Sequence, residues 1–225
     1  MPGMEYDCME SLPPVFWRGE TVSRLMLGTA QLGMDYGIAN AQGRPDPGRA
    51  REVVAAAWAE GIRYFDTAQA YGESEAVLGR ALETLGLSEE ARVVSKLWTR
   101  HDPLDRASIE QSVRESLARL GVPRLWGFLL HHPGALQHWE AGLGGSLIAL
   151  RETGRIAHLG VSLSPPEDAP RCLDAPDMEI LQAPANAWDR RLLDRGFFAA
   201  ARANGQLCCV RSVYLQGLLL MPPDA

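Results

Sequence analysis

Four side chains of unlike chemistry fall at or just past the ends of short apolar runs: Asp66 and Tyr71 after IRYF, Lys96 in RVVSKL, and His131 after LWGFLL. Lys96 is the only lysine among the 22 Lys and Arg residues, so arginine supplies every other permanent positive charge. A planar guanidinium cannot replace a compact, titratable ammonium, which marks Lys96 as a residue kept for its chemistry. A phenol, with an ordinary pKa near 10, is too weak an acid for efficient proton transfer at neutral pH. A neighbouring ammonium stabilises the phenolate, and a carboxylate beside the ammonium keeps it charged and in place. The spacing in D-T-A-Q-A-Y sets Asp66 on a strand and Tyr71 in the loop beyond it, so the two can face one another across a mouth. These residues predict a proton-transfer centre.

Such a centre needs elements that bring distant segments together. Apolar runs at 24–31, 62–68, 92–97, 125–131, 156–162, 178–183 and 207–212 read as strands. They are near-continuous rather than alternating, as expected of parallel strands covered on both faces. Helical periodicity fills 48–60, 74–86, 107–120, 145–153, 166–174 and 189–204, with Ser74 and Asp189 as expected N-caps and Gly121 as a stop signal. Repeated βα units imply a parallel sheet, doubly wound or closed into a barrel. The first strand runs into GTAQLGMDYG, which lacks the glycine fingerprint of a doubly wound dinucleotide fold. Polar residues end the strands instead: Gln31, Asp66, Lys96, His131, Ser162, Gln182 and Arg211. An α/β barrel collects its site at those ends. The expectation is one domain over 1–225 of the (β/α)8 TIM-barrel type, with seven strands counted, preceded by a hairpin within 11–23 turning at Gly19-Glu20.

Composition narrows the class. A net charge of -6 with no Lys/Arg run argues against a nucleic-acid or anionic-membrane partner. No apolar run reaches the roughly 20 residues of a membrane helix. Cys8, Cys172, Cys208 and Cys209 lack metal-binding spacing, and MPGMEYDCME lacks the features of a secretory signal. A reduced, cytoplasmic chain without a metal is expected. His131-His132 is read as unsuited to a metal because adjacent strand residues point to opposite faces.

The stretches LMLGTAQLG, GIRYFDTAQAYGESEAVLGRAL, VVSKL, LLHHP, GRIAHLGVS, LQAPANAWDRRLL and VRSVYLQGLLL together resemble the aldo-keto reductases. The resemblance implies a catalytic tetrad of Asp66, Tyr71, Lys96 and His131, with Tyr71 as general acid toward a carbonyl or sugar substrate. It also implies an NADPH cofactor, or NADH, held by Gly28, Thr29, Ser162, Gln182 and Arg211. Leu163 stands where the family has Asn, and Arg211 where many relatives have an aromatic residue. The resemblance further implies eight βα units. The eighth, with the residues that grip the adenine end of the cofactor, would be missing here. The barrel would then expose two edges that a homodimer or another partner must cover. A non-redox lyase, dehydratase or epimerase on the same scaffold, or a non-catalytic subunit, is the competing expectation.

Overall fold

A computed structural model describes residues 13–98 and 100–222. The expectations on the first ten residues, Cys8 among them, lie outside the described residues.

The chain opens with a hairpin, β1 (Val15–Trp17) and β2 (Glu20–Val22). Its turn is Arg18-Gly19, with φ of 47° and 81°. Two positive φ angles give the twist that matches antiparallel strands. Glu20 pairs with Trp17, so the turn lies one residue earlier than the sequence suggested.

Seven parallel strands follow: β3 (Met26–Gly28), β4 (Tyr64–Asp66), β5 (Arg92–Leu97), β6 (Leu125–Leu130), β7 (Ile156–Ser162), β8 (Ile180–Pro184) and β9 (Leu207–Arg211). They pair strictly in sequence order, as a curled sheet of the α/β-barrel type. The first two are shorter than their apolar runs, and just beyond them the Thr29 and Thr67 amides still donate to the neighbouring strand, at the Asp66 and Val94 carbonyls. Among the described residues β3 and β9 have no strand on their outer sides. The loops beyond them meet, where the Ala39 amide donates to the Gln216 carbonyl at 3.4 Å.

The helices are α1 (Ala30–Gly33), α2 (Pro47–Ala59), α3 (Ser74–Thr84), α4 (Arg106–Leu120), α5 (Gly144–Glu152), α6 (Ala169–Leu173), α7 (Arg191–Asp194) and α8 (Phe197–Ala203). Asp46 and Asp105 accept backbone N–H bonds at the starts of α2 and α4, and Gly121 ends α4 in the left-handed region. The expected helix over 189–204 is two, parted by Gly196 at φ 72°. That over 166–174 is a 3-10 turn (Pro166–Asp168) leading into α6.

The sheet has apolar layers on both faces. Its concave side buries Tyr64, Val94, Leu129 and Ile180 with Trp17, Val22 and Trp126. Its convex side packs Phe65, Val93, Phe128, Leu159 and Leu181 against helix residues such as Val54, Leu78, Ile109 and Leu147. The hairpin plugs the N-terminal end. Trp17 Nε1 donates to the Gly205 carbonyl at 2.9 Å, and Trp126 Nε1 donates to Glu20 at 2.8 Å. His158, silent in the sequence, lies between Glu179 (2.8 Å) and Glu20 (3.3 Å) at this closed end. The polar strand ends are thereby left at the opposite, open end.

α3 approaches α4 so closely at Gly79 that a Cβ there would collide with the carbonyl oxygens of Arg119 and Leu120. Gly79→Ala should therefore destabilise the fold by about 1–3 kcal/mol, the usual range for overpacking, despite alanine's better helix propensity. Urea unfolding of the variant measures this. A midpoint at or above the wild type would contradict the contact.

Candidate active site

Lys96 lies on β5 with its side chain wholly buried. Its Nζ donates to Asp66 Oδ1 at 2.8 Å, to the Thr67 carbonyl at 2.8 Å and to the Tyr71 hydroxyl at 3.3 Å. An ammonium has three N–H donors, so all three are used. A buried cation is tolerated where it is paired and fully hydrogen-bonded, and this one is. Because the Tyr71 oxygen accepts from Lys96, its own proton is left for an acceptor in the mouth.

Tyr71 owes its place to a short loop pinned at both ends. Ser74 was expected to cap α3, but its hydroxyl goes elsewhere. It donates to the Thr29 carbonyl at 2.8 Å and accepts from Thr67 Oγ1 at 2.9 Å. Thr29 Oγ1 reaches the Asp66 carbonyl at 2.8 Å. Thr29, Thr67 and Ser74 are fully buried, so these bonds form without competition from water. Gly33 completes the clamp, since a Cβ there would strike the Tyr71 carbonyl and the Ser74 backbone. Thr67 and Ser74 lie within the family-like stretch GIRYFDTAQAYGESEAVLGRAL, but only their convergence in space reveals that they clamp the loop.

His131 and His132 lie just beyond β6. The expectation that they face opposite ways fails for that reason: strand alternation no longer applies, and their rings stack 5.0 Å apart at 9°. The His131 ring meets Tyr71 edge to face, with centroids 5.7 Å apart. Burial, with the positive charges of Lys96, His132 and Arg211 nearby, lowers the His131 pKa to about 4. His131 is therefore neutral near pH 7 and suited to donate one N–H to an oxygen rather than to act as an acid.

On the other side of the cluster, Ser162 and Gln182 are register partners on β7 and β8. Ser162 Oγ donates to Gln182 Oε1 at 3.1 Å, and Gln182 Nε2 donates to Asp66 Oδ1 at 2.8 Å. A hydroxyl beside a primary amide offers the donors and acceptors that a carboxamide requires, so this pair fits the nicotinamide end of a dinucleotide. Arg211 ends β9 and lies back over β7, donating to the Leu163 carbonyl (3.0 Å) and Ser164 Oγ (2.8 Å).

Of the other residues expected to hold the cofactor, Gly28 is exposed at the edge strand, beside Asp66 in register. Thr29 is different: its hydroxyl is spent inside the clamp. Leu163 is fully buried in the layer between sheet and helices, so the position where an Asn was expected faces away from the mouth. Trp98 follows Lys96 with its backbone N–H held by Gln69 at 2.9 Å and the Arg100 guanidinium 4.0 Å above its ring. Cys209, also facing this interior, has its thiol pushed up to about 12 by burial and by Asp66, which disfavours the nucleophilic thiolate. Among the described residues no group of three or more His, Cys, Asp or Glu is placed to hold a metal.

The sequence profile of the Aldo/keto reductase family matches residues 24–221. The chain therefore belongs to that family. An aldo-keto reductase of Mycobacterium sp. (strain KMS) is 39% identical over 124 residues, which is 54% of this chain and 43% of that protein. The chain thus aligns with less than half the length of this curated relative. A structure of a Pseudomonas aeruginosa protein assigned to the aldo-keto reductases is 30% identical, with a TM-score of 0.71, covering 86% of this chain and 74% of that one. A Bombyx mori aldo-keto reductase solved in complex with NADP shares the fold at 22% identity, with a TM-score of 0.67 over 90% of this chain and 67% of that one.

The unfolded chain protonates an imidazole near 6.5, whereas the folded chain holds His131 near 4. Between these values the folded state binds fewer protons, so stability falls as the pH drops through that window. His131→Leu should remove this contribution. The loss in urea midpoint from about pH 7 to about pH 5 should then be smaller in the variant than in the wild type. An unchanged loss would place the acid sensitivity elsewhere.

Proposed function

We propose that this chain, as a single barrel domain, interconverts a carbonyl group of an aldehyde, ketone or sugar and its alcohol, with Tyr71 as general acid and base. The observation that carries the reading is the complete use of the Lys96 donors, which leaves the Tyr71 proton directed at the mouth.

Asp66, Lys96, Tyr71 and His131 are the proposed catalytic residues. In the reducing direction Tyr71 gives its proton to the carbonyl oxygen as the carbon is reduced. The phenolate left behind accepts from Lys96, whose charge Asp66 holds in place. His131, neutral, donates an N–H to the same oxygen and aligns the carbonyl. In the oxidising direction the phenolate takes the alcohol proton back. A nicotinamide cofactor bound here supplies or accepts the hydride. Ser162 and Gln182 would hold its carboxamide, with Gly28 and Arg211 flanking the ring and Thr29 acting only through the backbone it supports. Membership of a family that uses NADP(H), with NADP bound in the Bombyx mori relative, supports NADPH over NADH.

The same reading places the protein in a reducing compartment such as the cytoplasm. Support comes from the free thiols of Cys172, Cys208 and Cys209 and from the lack, among the described residues, of any helix long and apolar enough to cross a membrane. A second copy or another chain covering the β3 and β9 edges belongs to the proposal, since parallel edge strands are otherwise open to pairing.

Tyr71→Phe keeps the ring and its packing on His131 but removes the transferable proton. Turnover of a carbonyl substrate with NADPH should fall about 100- to 10,000-fold, the usual contribution of a positioned general acid. Cofactor affinity, read by quenching of tryptophan fluorescence, should stay near the wild-type value. Wild-type turnover in the variant would sink the assignment of Tyr71.

A further inference from the structure

Asp66 Oδ1 accepts two hydrogen bonds of the same length, one from a cation and one from a neutral amide. The second donor, Gln182, comes from β8, on the far side of the mouth from Lys96 on β5. The directions of these bonds are forced. A carboxylate only accepts, so the Gln182 amide must turn its NH2 toward Asp66 and its oxygen toward Ser162. The Ser162 proton then points at Gln182. One chain of hydrogen bonds runs Ser162→Gln182→Asp66, and a second runs Lys96→Asp66 with Lys96→Tyr71 beside it. Gln182 is 3% exposed and Ser162 is 4% exposed, so water does not replace these partners.

Gln182 draws negative charge from the carboxylate that Lys96 also serves. With the amide in place, Asp66 pulls less strongly on the ammonium, and more of the Lys96 charge reaches the Tyr71 oxygen. Without it, Asp66 has Lys96 as its only side-chain donor among the described residues and draws the ammonium away from the phenol. We infer that Gln182 is a positioning residue for proton transfer: its amide aims and partly neutralises Asp66, and through Asp66 and Lys96 it sets how readily Tyr71 gives up its proton. This rests on the proposed role of Tyr71 but reaches further, because it makes the Ser162–Gln182 side of the mouth and the acid one electrostatic unit. Occupancy of that side would then be felt at Tyr71. The charged and titratable groups facing this unit are Asp66, Lys96, His131, His132, Arg211 and Cys209.

The test uses no cofactor and no turnover. Ionisation of Tyr71 is followed by tyrosinate absorbance in the near ultraviolet, with the Tyr71→Phe protein subtracted to isolate it. Gln182→Met keeps the length of the side chain and removes the donor. Gln182→Glu replaces the donor with a second carboxylate. Each should move the Tyr71 midpoint to higher pH, by at least about half a unit, or roughly threefold in phenolate population at fixed pH, with the larger shift for Glu. Ser162→Ala, which leaves the Gln182–Asp66 bond intact, should move it less than either. If Gln182→Met does not fold by circular dichroism, Gln182→Glu decides. Midpoints equal to wild type in the folded Gln182 variants overturn the inference, and so does a Ser162→Ala shift as large as theirs. A shift in this titration alongside an undiminished Tyr71→Phe turnover would instead refute Tyr71 as the acid of the carbonyl reaction while keeping the coupling.

Discussion

The buried ammonium of Lys96 is the constraint around which the open end of the barrel is arranged. A cation enclosed by protein must meet acceptors with all of its protons or lose its charge. Here those acceptors come from β4 (Asp66), from the residue after it (Thr67) and from the loop that follows (Tyr71). No single local segment supplies them to a lysine on β5. The pairing of β4 with β5 is what brings them together, with Asp66 beside Val94 in register and Lys96 two residues further along. The loop carrying Tyr71 must then be held in place, and the Thr29, Thr67 and Ser74 hydroxyls and the close approach at Gly33 pin it.

Lys96, on β5, and His131, just beyond β6, meet the same burial with different partners. Burial penalises a cation in both places. Lys96 is compensated by a carboxylate, a backbone carbonyl and a phenol. His131 has no carboxylate bonded to it among the described residues and lies near other positive groups, so burial prevails and the ring is neutral. A charged donor that steadies a phenolate and a neutral donor that orients an oxygen are different tools, and the fold makes both from basic side chains that each meet Tyr71. The Ser162–Gln182 pair adds a second, uncharged donor to Asp66 from the far side of the mouth.

Much of this was legible in the residues. The seven strands followed from apolar runs separated by helical periodicity, because a parallel strand buried on both faces needs a near-continuous apolar segment. The residues at the ends of those runs were visible as polar punctuation. The solitary lysine was informative because arginine fills every other basic position. Errors arose where a local rule met a tertiary partner. Ser74 looked like a helix cap, but its hydroxyl is taken by the Thr29 carbonyl and by Thr67. The helix over 189–204 read as continuous, yet Gly196 in a left-handed conformation divides it. His131 and His132 were assigned by strand alternation, although the strand ends before them.

Taken alone, the amino-acid order determined the alternation of elements, the barrel class and the identity of the groups at the strand ends, since each depends on neighbours in the chain or on simple periodicity. Only the tertiary structure decided which of those groups touch. It chose Thr29 for an internal clamp and turned Leu163 into the helix layer. It set the His131 ring against Tyr71 and tied Gln182 to Asp66 across 116 residues of chain. Such contacts join segments that carry no mutual signal along the sequence. They come into being when the sheet curls and brings β4, β5 and β8 to one mouth.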